Sequence, residues 1–414
     1  MTGPSSSSDV IIVGGGLAGL AAARRLHRAG LSWQLVEAAD RLGGRATTDE
    51  RDGFLLDRGF QVLNTAYPRL RRLVDLPALR LGCFTSGVLV RRAGRLHRLS
   101  HPLREPGTAA SGLRAGVGTL ADRVRFAALA GAVAALPAQR LLAAPEVSTE
   151  RALRRAGLSD RLVEEVLRPF LSGVFADRQL ETSSHVLTMV LRSFARGRIG
   201  LPAGGMRRLP EAVAAPLPPD RLRTGVRVRD VTPGRVRTDN GELRGRAILV
   251  ATDPVGAADL LPALPRPRMH ALTTYYHAAP TPPLAEPTLL LDGDRREIVA
   301  NTVVISNAVP TYAPPGRHLV ATSVVGPAAP PEPVVRAELT RLYGRDTADW
   351  THLSTVALPA ALPAAPPPRG RLRQPVALGD GLWVAGDHRD SPSIQGALAS
   401  GWRAAGAIIT TLRR

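Results

Sequence analysis

The sequence contains no lysine: each of its 54 basic residues is arginine, so the net charge of +19 is carried by guanidinium groups. Chemistry that needs an amine side chain, such as a Schiff base or a lysine-held water, is therefore excluded. Cysteine is almost absent as well. The single Cys83 can form no internal disulfide and cannot alone build a zinc site, so no metal is expected and a reducing, cytoplasmic compartment is the default. Aromatic residues are only 4% of the chain and the arginines are scattered, which argues against nucleic acid as a partner. Long apolar runs are missing too. The longest, Phe126 to Leu136, is bracketed by Arg125 and Pro137 and falls well short of the roughly 20 residues a bilayer requires. Residues 1–8 lack the basic and apolar regions of an export signal and read as a flexible N-terminus.

What is present is the composition of a globular protein. The 414 residues are 44% hydrophobic and 21% charged, with 40 glycines and 36 prolines. That is enough apolar surface to offset chain entropy, so general disorder is excluded, and the length suits two or three domains. The excess positive charge suits an anionic substrate or a weak attraction to acidic membrane surfaces.

Asp9-Val-Ile-Ile-Val13 is a continuous β-branched run, the pattern of a strand buried on both faces of a parallel sheet. Gly14 to Gly19 follow at once, and Leu20 to Ala29 have the spacing of a helix closed by Gly30. Ser32 to Val36 form a second strand ending at Glu37, which completes a β-α-β unit. Further buried strands are expected at Arg246–Ala251 and Gly381–Gly386, and a terminal helix at Ile394–Leu412. Residues 109–200 carry Ala, Leu and Arg at helical spacing. Residues 268–325 alternate like antiparallel strands, at Leu272–His277, Ile298–Ser306 and His318–Val325. Arg91 to Arg98 read as a short strand pair turning at Gly94. Proline-rich stretches at 262–268, 280–287, 327–334 and 359–368 read as semi-rigid connectors.

Gly14, Gly16 and Gly19, with Gly15 between the first two, give G-x-G-x-x-G at the strand-to-helix turn. The first glycine permits the tight turn, the second lets a diphosphate approach the backbone, and the third lets helix and strand pack closely. The helix N-terminus then faces the negative charge. Glu37 stands where a carboxylate accepts hydrogen bonds from a ribose diol, and it would repel a 2′-phosphate.

The next residues separate NAD from FAD. Glu37-Ala-Ala-Asp-Arg-Leu-Gly-Gly-Arg45 resembles the E-x(5)-G-G-R extension of the two-dinucleotide-binding-domain flavoproteins. The resemblance implies that Gly43 and Gly44 bring amides to the diphosphate and that Arg45 neutralises it. Asp57-Arg-Gly-Phe-Gln-Val62 is similar to the D-x-G segment of that family, which implies that Gly59, Phe60 and Gln61 pass along the flavin ring. Leu382-Trp-Val-Ala-Gly-Asp387, followed by Ser393 to Gly401, resembles its C-terminal FAD motif. A carboxylate just after a buried strand, here Asp387 behind Gly386, can hold ribityl hydroxyls. The helix opening at Ser393 and Ile394 then aims its positive end at the flavin N1 and C2 carbonyl. A softer likeness over Thr224–Val231 implies Val228 against the adenine. Cys83 sits in no motif for covalent attachment, so the implied cofactor is non-covalent FAD.

The chain as a whole resembles the flavin-dependent amine oxidase, phytoene desaturase and protoporphyrinogen oxidase superfamily. A looser likeness to its desaturase-like members runs through Arg168-Pro-Phe-Leu-Ser-Gly-Val-Phe175 and Pro202-Ala-Gly-Gly-Met206. The expected fold is α/β: a Rossmann-like FAD-binding domain on a parallel sheet, from residues 9–70, 196–262 and 370–414. An α+β substrate domain from residues 71–195 and 263–369 is interleaved with it, its helical part around 108–195 and its antiparallel sheet around 268–325. The resemblance implies a two-electron dehydrogenation of a C–C or C–N bond in a small organic substrate, with hydride passing to flavin N5. Oxygen, a quinone or another acceptor would reoxidise the flavin. Two departures favour an apolar, desaturase-like substrate over an amine. The lysine that holds a water near flavin N5 in amine oxidases is missing, and Ser393 stands where they present an aromatic. An oxygen-using amine oxidase, a flavin-binding scaffold without turnover and an NAD-dependent dehydrogenase are the competing readings.

Polar candidates are few. Tyr275, Tyr276 and His277 lie on the strand that lines the substrate side in relatives; either alternate members face the pocket, or they form a core tyrosine pair with a surface histidine. Arg168 is a candidate carboxylate clamp or helix C-cap, and His388 a candidate contact to the diphosphate. No catalytic residue is selected, because hydride abstraction needs positioning more than an acid or base. Thr108 to Ala144 is apolar, arginine-flanked and helical; it either packs the helical part or makes a weak peripheral membrane contact.

Overall fold

In the computed structural model, which describes residues 7–100 and 117–414, the run Val10–Val13 is buried because a strand flanks it on each side. The strand Ser7–Val13 pairs in parallel with Trp33–Val36 and with Gly241–Val250. Leu222–Arg223 extends the sheet beyond Trp33–Val36, and Leu382–Val384 adds another parallel strand against Gly241–Val250. Arg235–Thr238 and Val228–Thr232 continue it as an antiparallel edge. Ser7 and Ser8 pair with Arg244 and Gly245, so the first strand begins before Asp9 and these two serines are not part of a flexible end. Residues 1–6 lie outside the described residues.

The helix Leu17–Arg28 starts directly after the glycine turn, earlier than Leu20, and buries its Leu20, Ala22 and Leu26 on the sheet. The C-terminal helix Ile394–Leu412 crosses it at close range. A Cβ on Gly401 would stand 1.9 Å from the Ala18 carbonyl oxygen, so only glycine allows the two backbones to meet there.

The second sheet has seven strands in the order Thr351–Pro363, Met269–Ala279, His318–Val325, Asn301–Val304, Leu289–Asp292, Gly87–Arg92, Arg95–Ser100. It is antiparallel except where Leu289–Asp292 runs parallel to Gly87–Arg92. Two expectations are corrected. The strand expected over Ile298–Ser306 covers only Asn301–Val304, because Ile305–Ala308 turns into a short helix. Thr351–Pro363 is a strand although Pro359 to Pro363 read as connector; it lies at the sheet edge, where a missing proline N–H breaks no ladder. The connector at 327–334 likewise ends inside a helix, Glu332–Tyr343.

Helices Leu120–Ala135, Thr149–Arg155, Arg168–Phe175 and Ser184–Arg196 fill the alanine- and arginine-rich stretch; residues 101–116 lie outside the described residues. Arg192 and Arg196 donate to the carbonyls of Val133, Ala134 and Leu136, which closes the C-terminus of Leu120–Ala135. The outer face of that helix stays open, with Leu120 67% and Val124 63% exposed. Among the described residues no helix is long and apolar enough to cross a membrane.

Candidate functional site

Gly14 leaves the first strand at φ +109°, and a Cβ there would meet the Ala251 carbonyl oxygen at 2.7 Å. A Cβ on Gly19 would come within 2.0 Å of the Gly14 carbonyl oxygen, so the helix could not approach the strand with any larger residue. Gly16 is the opposite case: a Cβ there would meet nothing within 4 Å. It also caps the helix without a side chain, and no acidic residue occupies the first turn. No side chain of the helix's own first turn answers its positive end.

The other residues of this cradle are held by backbone amides. Glu37 is half-buried and accepts from Gly15 N at 2.7 Å and from Ala39 N at 2.8 Å, one bond on each carboxylate oxygen. Gly43 N donates to Gly15 O at 2.9 Å, and Gly16 and Gly43 form an isolated parallel bridge that draws Gly44 against the turn. Gly225 and Val226 donate to the carbonyls of Ala39 and Glu37. Val226 therefore flanks Glu37 and is buried in an apolar cluster, and the half-buried Val228, which begins the edge strand, packs against the same cluster.

The far end of the chain enters through Arg45. Its Nη2 donates to Asp387 Oδ1 at 2.8 Å and its Nη1 to the Ala361 carbonyl at 2.8 Å. Burial works against the guanidinium charge, but the Asp387 and Asp253 carboxylates hold it protonated. Arg45 was expected to serve a diphosphate alone; it finds its first counter-charge within the chain. Asp387 is 3% exposed and follows Gly386, whose N–H donates to Ser400 Oγ at 3.0 Å. Ser393 caps the C-terminal helix by accepting from Gly396 N at 3.1 Å, and Ile394 is the first helical residue. The His388 ring lies over Gly386, where a Cβ would stand 2.5 Å from Nδ1. Both ring nitrogens are enclosed without a partner, and burial pushes the pKa down to about 4, so the imidazole is neutral.

Between the two ends lies the segment Asp57–Gln61. The buried Asp57 carboxylate accepts from Thr48 Oγ1 at 2.6 Å, Met206 N at 3.0 Å and Tyr312 Oη at 2.8 Å. Its carbonyl accepts from Tyr276 Oη at 2.7 Å. Burial raises the carboxyl pKa to about 6 in spite of these donors. Further on, Phe60 N donates to Thr274 Oγ1 at 3.2 Å, and Gln61 Nε2 donates to the Arg45 and Arg58 carbonyls at 2.7 and 2.8 Å. A Cβ on Gly59 would touch Leu358 Cδ1 at 2.8 Å. Leu358 belongs to an apolar cluster with Leu272, Ala300, Val325, Ala361 and Leu362, and Phe60 packs edge-on against Phe84.

Several candidates turn away from any site. Tyr276 is committed to Asp57, and Tyr275 donates to the Pro330 carbonyl. His277 is fully buried rather than on the surface, with Nε2 2.8 Å from Glu332 Oε1. Arg168 is neither a free clamp nor a helix cap; it pairs with Glu164 at 2.7 Å and Glu150 at 3.2 Å. Sequence reading missed Thr48 and Tyr312, which carry no motif and are recognisable only as partners of Asp57.

The glycine turn, the oriented Glu37 and the Arg45–Asp387 bridge bring the two ends of the chain together in an α/β protein with a parallel sheet. Residues 17–409 match the flavin-containing amine oxidoreductases, and the chain belongs to that family. It is an FAD-dependent oxidoreductase. Chloroplastic protoporphyrinogen oxidase of Nicotiana tabacum is 25% identical over 83% of this chain and 72% of its own length. Flavin-containing amine oxidase B of Mus musculus is 44% identical over 70 residues, which cover 17% of this chain and 14% of its own. The solved structure of an oxidoreductase from Methanosarcina mazei shares the fold with a TM-score of 0.73 at 18% identity, covering 99% of this chain and all of that one.

Proposed function

We propose that this oxidoreductase removes two electrons from a C–C or C–N bond of a small, apolar organic substrate in a desaturase-like reaction. The observation that carries the reading is the wall beside Gly59–Gln61. Leu272, Leu358, Leu362, Val325 and the Phe60–Phe84 pair are apolar, while Tyr275, Tyr276 and His277 spend their polar atoms in the core. Such a wall positions a hydrocarbon and offers no counter-charge to an ammonium group.

The open space over Gly16 and the uncapped helix behind it support a diphosphate seat formed with Gly14, Gly15, Gly19 and Gly44. Glu37, oriented by Gly15 and Ala39, would use its remaining lone pairs on a ribose diol. Asp387, oriented by Arg45, would accept from ribityl hydroxyls, and the helix start at Ser393 and Ile394 would face the flavin. Gly59, Phe60 and Gln61 would run along the ring, with Val226 and Val228 toward the adenine. Bound there, FAD supplies the hydride acceptor and passes electrons on to oxygen, a quinone or another oxidant. The residues around it align the reacting C–H bond and exclude water. The exposed Leu120 and Val124 support a weak membrane contact through which an apolar substrate would arrive.

Anaerobic mixing of FAD-loaded protein with a polyene panel and an amine panel, followed by visible absorbance, tests this. Bleaching by a polyene and not by amines is the expected result. Bleaching by amines alone would assign an amine oxidase, and a flavin that no substrate reduces would mark a scaffold.

A further inference from the structure

Away from the cofactor cradle, Trp402 sits half-buried on the C-terminal helix with three guanidinium carbons close to its ring centroid: Arg69 at 4.7 Å, Arg25 at 5.3 Å and Arg28 at 5.7 Å. Arg25 is locked in place, since its Nη1 donates to the Trp402 carbonyl at 2.8 Å. It lies over Gly406, where a Cβ would stand 2.2 Å from that nitrogen. Arg69 is anchored by its backbone, whose N–H donates to Gln395 Oε1 at 2.9 Å. Its Nε is enclosed and without a partner. Arg72, one helical turn on, is exposed and adds to the field on Arg69, as does Arg373. Arg71 and Arg72 also form part of the wall of an open groove of about 470 Å³ that contains one acid, Asp75.

Other arginine clusters of this chain are matched with acids. Arg341 meets Asp292, Asp294 and Glu338, and Arg168 meets Glu150 and Glu164. Around Trp402 the pattern is reversed. Among the described residues, Arg25, Arg28, Arg69 and Arg72 have no carboxylate within ion-pair distance, and the side chains of Arg28, Arg69 and Arg72 make no hydrogen bond; Arg373 pairs with Asp390 at 3.8 Å. The indole offsets part of the repulsion by cation–π attraction. The exposed Arg28 and Arg72 keep their guanidinium N–H donors for solvent, and such forks suit tetrahedral oxyanions.

We propose that Trp402 and the arginines stacked around it form a binding site for a phosphate-type anion, free in solution or carried as a lipid headgroup. A multivalent anion is required, because a single carboxylate would leave most of the clustered charge unanswered. The indole acts as the platform around which the guanidinium groups gather, and Gly406 is the gap that admits Arg25.

The test uses FAD-loaded protein, so that the nucleotide cradle is filled, with inorganic pyrophosphate as the probe in calorimetric titrations. Saturable one-site binding that weakens with salt is expected. It should fall at least tenfold in an Arg28→Ala/Arg72→Ala variant, which alters exposed side chains outside the cofactor and substrate positions, and hold in Arg140→Ala on the helical insert. Absence of saturable binding, or an equal loss in Arg140→Ala, overturns the site. Co-sedimentation with phosphatidylcholine vesicles, with and without phosphatidylglycerol, separates the two sources. Capture by the anionic vesicles that depends on Arg28 and Arg72 and is displaced by pyrophosphate assigns a headgroup; pyrophosphate binding without capture assigns a free anion.

Discussion

From Val13 to Glu37 the glycine turn is held by backbone: amides of Gly15 and Ala39 hold Glu37, and Gly14 and Gly19 meet the carbonyls of Ala251 and Gly14. Around Asp57 the chain is held by side chains, from Thr48, Tyr276 and Tyr312, the last of them 255 positions away. The first region uses no hydroxyl, and at Gly14 and Gly19 it leaves no room for a Cβ. The second rests on hydroxyl donors to one buried carboxylate, whose pKa burial raises to about 6. The two therefore break under different substitutions.

The largest effects belong to the cradle. Gly19→Val should yield no folded protein, since a Cβ would lie 2.0 Å from the Gly14 carbonyl oxygen. Gly16→Val, where a Cβ meets nothing within 4 Å, should fold normally and lose FAD retention by about a hundredfold or more, because the side chain fills the seat of the diphosphate. Circular dichroism melts together with flavin content check the pair; a fully yellow Gly16→Val protein would remove the diphosphate from this turn. Next comes Asp387→Ala, expected to weaken FAD binding by about 1.5–3 kcal/mol, the worth of a charge-assisted hydrogen bond. An unchanged FAD dissociation constant in that variant would detach Asp387 from the cofactor.

The contrast also explains what the sequence disclosed. Gly14, Gly16, Gly19, Glu37 and Arg45 announce themselves because a tight turn and a close backbone approach admit few residue types at fixed spacing. The buried run Val10–Val13 and the strand His318–Val325 were legible from periodicity alone. Thr351–Pro363 was not, because prolines forbidden in a central strand are tolerated at an edge, and edge position is a tertiary fact. The Asp57 junction stayed hidden for a similar reason. Tyr312 and Thr48 sit in no motif, and hydrogen bonds between distant hydroxyls and a carboxylate leave no period. Nor did the sequence show that Arg45 would be shared with Asp387, a pairing that exists only once the two ends of the chain have met.

Tyr312→Phe sharpens the comparison at smaller scale. It deletes one donor to a buried carboxylate and should cost about 1–2 kcal/mol of stability near neutral pH in denaturant titrations. Below about pH 6 the Asp57 carboxyl takes up a proton and needs that donor less, so the cost should shrink. A Tyr312→Phe penalty independent of pH would mean that the hydroxyl serves packing alone.

The smallest effect is one of sign. Asp57 has a folded pKa of about 6 against an ordinary 3.8, so the folded state binds its proton first, and this group contributes stability that grows as pH falls from 6 toward 4. His277, beside Glu332, Arg336 and His352, is held down to about 4 from 6.5 by burial, so the unfolded state binds its proton first. Its contribution is present above about pH 6.5 and is lost as pH falls toward 4. The two groups oppose each other across one pH window and partly cancel in the intact protein. Asp57→Asn should therefore make stability fall more steeply on acidification, and His277→Gln should make it fall less steeply. Urea titrations of the three proteins at pH 4.5, 5.5 and 7 (within the range set by these two groups) would read the slopes. An unchanged slope in either variant would show that the side chain it replaces titrates near its ordinary value, and so is not sealed from water in the folded protein.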